Sequence, residues 1–476
     1  MWGDDAELQR LAMVGSTRAD GHAHPMWFWI AKQFARIPFG SIAWRVNLSS
    51  AILGAIAVAL VYRVAMRLTH RRGAAALAAL AFAVSHTQWL HSVRAEVYAL
   101  FTALLALTLL LFAKWRESRR HELLFLLGLL AGVTLLSHML IVTALPGLVV
   151  GVSASAPRGT RIRAVSTLLA GWLVGCSLFI ARAGLGPILH PIQGGGGPLS
   201  ILSFPRPVDV LRFAAFTAYQ FPLAGPLVLW GAWRTRREDP TLALTLVLIA
   251  LGDIAFGLCF QVPDQYVFYL PAYLIGALFL ALGLQSLRKS GSGLRFAALV
   301  GALTVAPPLV YRLAPIVFSR MHLSLVTLRT LPGRDNNTYF MFPPKAGERS
   351  AERFAREAFT VLPESALVVA DWAPLQALRY LQEVEHVRAD LAFEESRPFY
   401  SAQLDSIEKL CAHRAVFIAD VEPPPYYDIA AIRRRFLLRP AGPIFMLERR
   451  RIPSSPAGPP QKTVARDSRT VLTRHV

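Results

Sequence analysis

Arg94-Ala95-Glu96-Val97-Tyr98 opens an apolar run, 99–113, whose composition is otherwise that of a transmembrane helix. An ionisable side chain near hydrocarbon costs roughly 2.5–3.5 kcal/mol on insertion scales, so it is paired, turned toward a cavity or part of a substrate path. The plainer reading puts Arg94 and Glu96 at the membrane interface, where an arginine reaches water and anchors a helix end. In both readings the segment crosses a bilayer, and the chain is an α-helical polytopic membrane protein.

The same pattern recurs on either side of it. At about 20 apolar residues per crossing, about ten transmembrane helices are expected, near 47–69, 73–91, 95–113, 122–137, 139–156, 164–182, 221–234, 241–260, 267–287 and 294–315. The net charge of +20 invites comparison with nucleic-acid binders, but the cations sit in short loops between these helices. Arg63, Arg67, Arg71 and Arg72 follow the first span; Lys114, Arg116, Arg119 and Arg120 follow the third. Arg158, Arg161 and Arg163, then Arg234, Arg236 and Arg237, then Arg288, Lys289 and Arg295 repeat the arrangement. Every second loop is basic, which is the positive-inside pattern, and no nucleic acid is expected as a partner. The alternate loops, 183–220 and 261–266, carry few cations and are expected outside, together with both chain ends. That topology requires 2–44 to be translocated with no signal segment before it, so a helix upstream of this start is expected.

Beyond about Pro315 the apolar runs shorten and charges become frequent. Strand patterns at 366–370, 389–393, 415–419 and 444–447 alternate with helix patterns at 374–384, 403–412 and 429–436, which predicts a small soluble α/β layer. Four regions follow: an external loop with an acidic motif and an interfacial helix (1–46), a transmembrane helical domain (47–318), an extracytoplasmic α/β domain (319–451) and a disordered tail (452–476). Cys176 and Cys259 fall in expected spans and Cys411 stands alone, so no disulfide within the soluble part is expected. The Gly194-Gly195-Gly196-Gly197 run lacks the strand, Lys and Ser/Thr of a phosphate-binding loop and reads as a flexible external segment.

Candidate chemistry concentrates near the amino end. Asp4, Asp5 and Glu7 lie within one turn's length, followed by His22, His24 and Pro25 and by the aromatic stretch 27–34, which suits the membrane surface. Carboxylates beside His and Arg fit one reaction well: a base deprotonates an acceptor hydroxyl while cations hold a lipid-linked phosphate leaving group. Read without context, two or three acids in such a segment are simply solvated charge. Arg45 and Arg94 are candidates for the phosphate, since guanidinium binds it bidentately. Glu96 and Tyr98 are candidates to brace the external loop, and Asp264 either caps a helix or faces the site.

The order of these segments is similar to one known family. Asp4-Asp5-Ala6-Glu7, His24-Pro25, Arg45-Val46-Asn47-Leu48-Ser49-Ser50 and Glu96-Val97-Tyr98-Ala99-Leu100 resemble the motifs of a polytopic membrane family of formerly unknown function, which includes the animal endoplasmic-reticulum protein O-mannosyltransferase acting on plexin-type domains. Asp264-Gln265-Tyr266, the Tyr269-Leu270-Pro271 helix start, Asp371 and Tyr380-Leu381-Gln382 resemble its later segments. Met26, Trp27 and Phe28 depart from its His-Pro-Pro-Gly-Tyr-Pro block.

The resemblance implies a membrane glycosyltransferase of the C-type architecture, using a polyprenyl-phosphate-sugar donor and an extracytoplasmic protein or glycan acceptor. It implies a single inverting displacement with Asp4 as general base and Glu7 as supporting acid, and donor or acceptor contacts from His24, Arg45, Arg94, Glu96, Tyr98 and Asp264. It leaves room for a divalent cation. The setting it implies is a bacterial inner (plasma) membrane, with membrane lipid all around. Two other classes fit the composition: a polytopic transporter, for which an internal repeat is expected and none is found, and a noncatalytic scaffold with a degenerate active-site loop.

Overall fold

A computed structural model describes residues 2–15, 24–184, 202–260, 262, 264–286, 298–323, 329–396, 401–423 and 426–450. The Gly194–Gly197 run, His22, Pro263, the loop residues Arg288, Lys289 and Arg295, and the tail 452–476 lie outside the described residues.

The amino end is helical rather than a loop. α1 (Asp4–Val14) starts on three acids that suit its N-terminal dipole, and α2 (Pro25–Ala35) starts on a proline in its first turn. α3 (Ile42–Thr69) follows, with the Ser41 hydroxyl accepting from the Trp44 N–H at 3.2 Å. Next come α4 (Arg72–Ala83), α5 (His86–Ser92), α6 (Tyr98–Ser118), α7 (His121–Val133), α8 (Leu145–Ser155) and α9 (Arg161–Ala183). α10 (Pro207–Gln220), α11 (Gly225–Glu238), α12 (Pro240–Cys259), α13 (Leu270–Gln285) and α14 (Ala306–Arg320) complete the helical body.

Among the described residues six helices are long and apolar enough to cross a membrane: Ile42–Thr69, Tyr98–Ser118, Arg158–Ala183, Pro240–Cys259, Gln265–Gln285 and Ala298–Arg320. Arg72–Ala83, His121–Leu136 and Met139–Ser155 are shorter apolar helices. The differences from ten uniform spans have local causes. The expected span 73–91 breaks where the Ser85 hydroxyl donates to the Phe82 carbonyl at 2.7 Å, so α4 and α5 are separate. The expected span 139–156 begins as a 3-10 turn, with His138 Nδ1 accepting from the Leu140 N–H at 3.1 Å, and becomes α-helical only at Leu145-Pro146. The expected span 221–234 starts later, because the chain turns at Phe221-Pro222 after α10 and α11 begins only at Gly225.

α7 and α9 cross with their backbones touching. A Cβ on Gly128 would sit 2.0 Å from the Leu168 carbonyl oxygen, one on Gly171 would sit 2.1 Å from that of Phe125, and Gly132 and Gly175 face each other one turn further on. Both helices thus carry a Gly-x-x-x-Gly interface, the spacing at which apolar helices approach most closely. α13 lies at the centre, with 89% of its apolar window buried inside the protein.

At one end of the bundle the basic segments meet: Arg67 pairs with Glu117, Arg116 with Asp239 at 2.8 Å, and Arg119 donates to the Ser155 carbonyl at 2.7 Å. The other end carries α1, α2 and a second layer. That layer holds α15 (Asn336–Met341), α16 (Ser350–Val361), α17 (Trp372–Glu383), α18 (Ser401–Leu410) and α19 (Ile429–Arg435) around five strands: β1 (Leu367–Ala370), β2 (Ala392–Glu395), β3 (Val416–Ile418), β4 (Phe436–Ala441) and β5 (Ile444–Arg449). The order is β2-β1-β3-β5-β4, with the first three parallel and the last two an antiparallel hairpin turning at Gly442, φ 60°. β1 and β3 are buried throughout, as strands covered on both faces must be. β4, which sequence pattern merges with the end of α19, and α16, which buries Phe354, Ala355, Ala358 and Phe359, are additions to the expected elements.

Candidate active site

The site forms where α1 is held between the helical body and the strand layer. Gly3 leads into the helix at φ 63°, and a Cβ there would lie 2.9 Å from the Trp372 ring, so this position admits glycine on both conformational and steric grounds. Trp2 is buried, with its indole N–H on Ser350 Oγ at 2.7 Å. One turn on, the Trp372 indole N–H donates to Glu7 Oε2 at 3.1 Å. Arg10 reaches Glu383 at 2.6 Å. The helix that carries the acids is therefore fastened by residues more than three hundred positions away.

Asp5 is fully buried and anchors the centre. Arg94 Nε lies 3.0 and 2.9 Å from its two carboxylate oxygens, and Nη2 lies 2.6 Å from Oδ2. The Tyr339 hydroxyl adds a contact at 3.4 Å, and Arg94 lies over the Tyr339 ring at 5.7 Å. Arg94 is held firmly cationic: burial works against its charge, but Asp5, Tyr339 and Glu96 outweigh it. Glu96 stands 3.7 Å from the same guanidinium, yet burial and the Asp5 charge push its carboxyl well above the usual carboxylate range. One carboxylate, Asp5, thus neutralises Arg94.

Asp4 differs from its neighbour. It is exposed on one side while protein surrounds it on the others. Burial pushes its carboxyl up to about 7, assisted by Asp264, Asp5 and Glu7 and opposed by Arg94. Asp264, just ahead of the Gln265–Gln285 segment, is itself raised by burial. The arrangement is a water-accessible acid poised near neutrality beside the buried Arg94–Asp5 pair and two further acids raised by burial, Glu96 and Asp264, which is the pattern expected of a proton-transfer group.

Asp4, Glu7, Arg94, Glu96 and Asp264 therefore converge. Tyr98 joins them from the start of α6, edge-on to His91 at 5.0 Å and tilted on His138 at 5.1 Å. His24 is one step further out, stacked on His138 at 5.3 Å with Nδ1 2.5 Å from the Ser137 carbonyl. Arg45 lies apart from the cluster, and its guanidinium donates to the Ala35 carbonyl at 2.6 Å and to that of Ile37, closing the end of α2. Among the described residues no group of three or more His, Cys, Asp or Glu side chains is placed to hold a metal ion.

Tyr339, Lys345 and Trp372 are the neighbours that sequence pattern does not single out. Burial lowers the Lys345 ammonium to about 7, and its Nζ donates to the Phe342 carbonyl. Their one sequence signal is weak: Trp372 directly follows Asp371 in the segment that resembles the family.

This architecture is found in solved proteins. Over 94% of its length the chain is similar to ArnT from Cupriavidus metallidurans: the apo structure gives a TM-score of 0.59 at 13% identity with 93% of that chain covered, and the structure bound to undecaprenyl phosphate gives 0.54 at 14% with 94% covered. The chain thus shares its fold with ArnT. Residues 21–158 match the family model described as the Protein O-mannosyl-transferase TMEM260 N-terminal domain. Protein O-mannosyl-transferase TMEM260 of Mus musculus is 31% identical over 121 residues, which is 24% of this chain and 16% of the mouse protein. The family resemblance read from the ordered motifs is borne out over this stretch, and α1 lies just ahead of it.

Proposed function

We propose that this protein is a membrane glycosyltransferase that moves a sugar from a polyprenyl-phosphate donor to an acceptor hydroxyl with inversion at the anomeric carbon. The observation that carries this reading is Asp4: an accessible carboxyl raised to about 7 beside the fixed Arg94–Asp5 pair. A general base works best with its pKa near the working pH. The Asp4 carboxylate takes the acceptor's hydroxyl proton as that oxygen attacks the anomeric carbon. The bond from that carbon to the phosphate oxygen breaks, and its electron pair leaves with the polyprenyl phosphate. Arg94 is the positive group in the cluster that stabilises the departing charge. Glu7, held by Trp372, fixes the helix that aims Asp4.

The fold of ArnT and the TMEM260 N-terminal match support a membrane glycosyltransferase, and the polyprenyl-phosphate donor fits a site at the end of the apolar helices. The acid cluster and the strand layer face the extracytoplasmic side of a bacterial plasma membrane, with the basic ends of α3, α6 and α8 in the cytosol. The three shorter apolar segments and α11 cross as well, giving ten crossings with the six long helices. The acceptor is a protein or glycan. Transfer from a labelled polyprenyl-phosphate sugar in proteoliposomes tests the reading: Asp4→Asn must reduce it to a small residual activity, and full activity in that variant removes Asp4 as the base. Downhill substrate entry that ignores Asp4 would instead point to a carrier.

A further inference from the structure

A cavity of about 820 Å3 lies against Ala6 and Gln9 of α1. At 100° per residue these two positions are on the side of the helix roughly opposite Asp4, so the cavity backs the acid cluster rather than opening onto it. Its floor is the first turns of α3, at Trp44, Asn47, Leu48 and Ala51, and its roof is α16 and α17, at Ala351 and Tyr380. The floor continues along the span: Trp44, Ile52 and Ile56 follow one another at helical spacing and are 48%, 42% and 45% exposed. An apolar stripe that faces lipid therefore runs into a polar cavity at the helix end, where tryptophan prefers the membrane–water interface.

The charges in the cavity are unequal in their freedom. Arg356 holds Glu352 at 3.0 Å and Glu385 at 2.6 Å, and Glu348 accepts from the Ser350 N–H at 2.9 Å and from its hydroxyl. Lys345 and Arg349 also line it, and among the described residues neither has a carboxylate within ion-pair distance. Behind Lys345 the Tyr339 ring is shared by Arg94 at 5.7 Å, Arg334 at 4.9 Å and Lys345 itself at 5.4 Å. Of these three cations only Arg94 has a carboxylate partner among the described residues. Glu348 offsets part of this charge from longer range, so the inner wall presents two cations, Lys345 and Arg349, held by no ion pair among the described residues, above an apolar floor.

We propose that this cavity binds a membrane lipid with an anionic phosphate headgroup, with Lys345 and Arg349 on the phosphate and Trp44, Leu48 and Ala51 against the start of its chains. A phosphate beside Lys345 supplies an ion-pair partner at contact distance, where Glu348 and Asp5 act on the ammonium only from further away. The site is separate from the transfer chemistry and does not rest on it.

The test uses the full chain in phosphatidylcholine nanodiscs doped with headgroup-photoreactive phosphatidylglycerol, with labelled peptides mapped by mass spectrometry. Label is expected within 41–51 and 344–356. R349M and K345M should each lower it about five-fold, the factor for one lost cation near an anionic lipid. Arg349 is exposed, so its variant reports binding without a folding defect. Ala51→Trp, which fills the floor, should block labelling with both cations in place. Unchanged labelling in R349M overturns the proposal, as does equal labelling by photoreactive phosphatidylcholine. Loss of label to millimolar inorganic phosphate would make this a free-phosphate site and overturn the lipid assignment.

Discussion

The two ends of the helical bundle are built from the same residue types with opposite outcomes. At the basic end Arg67–Glu117 and Arg120–Glu122 are open to solvent, the latter pair 70% exposed on both sides. At the acidic end Arg94 and Asp5 are 9% and 0% exposed and meet through three close contacts. Exposed pairs contribute about 0–1 kcal/mol, because water and salt screen them. Removing one partner of a buried pair costs about 3–5 kcal/mol, because the survivor stays charged in a poor solvent for charge. The basic end leaves its charges to the solvent, whereas the acidic end fixes geometry.

That contrast can be broken at several points. The largest effect is expected at Asp4, which is both exposed and raised: Asp4→Asn should lower transfer by about 10²–10⁴-fold, the range for loss of a general base. The same variant should melt no lower than the parent at pH 7. A carboxyl whose folded pKa is raised from 3.8 to about 7 loses stability as pH climbs between those values, so a neutral amide relieves a cost rather than adding one. By the same sign, kcat/KM should rise with pH through about 7 as Asp4 ionises, and this limb should vanish in the residual activity of Asp4→Asn.

Arg94→Met comes next, with a loss of about 3–5 kcal/mol in unfolding free energy. The double variant with Asp5→Asn should lose less than the sum of the two single changes, since each removes the other's unpaired charge. A third change is smaller: Trp372→Phe deletes the indole N–H on Glu7, a hydrogen bond to a charged group worth about 1.5–3 kcal/mol. It should lower kcat and displace the acid limb while donor binding is retained. The smallest change is Glu117→Gln at the basic end, where the melting temperature should shift by no more than ~0.5 kcal/mol allows. A large loss there would erase the distinction between the two ends.

How much of this is legible in the sequence follows from distance along the chain. The positions of α3, α6, α9, α12 and α13 are legible because twenty apolar residues in a row have few alternatives. The convergence of Asp4, Glu7, Arg94, Glu96 and Asp264 follows from ordered motifs, and Asp5 is visible as an acid although its burial is not. Trp372 and Tyr339 are illegible because nothing local marks a tryptophan as the partner of an acid 365 positions earlier. The break at Ser85 depends on one hydroxyl returning to one carbonyl, a choice that hydropathy cannot register. The glycine contacts of α7 and α9 are written in plain spacing, but only the pairing of the two helices gives that spacing its meaning.

Because the fasteners of α1 come from the far part of the chain, ribosomal synthesis imposes a schedule on the site. At about 5–20 residues per second, the interval between making Glu7 and making Trp372 is roughly 20–70 s. During that interval the amino-terminal acids exist without their clamp. A growing chain stalled or cleaved before residue 350 would keep its spans and its acids yet have no seat for them, which confines competence to finished molecules.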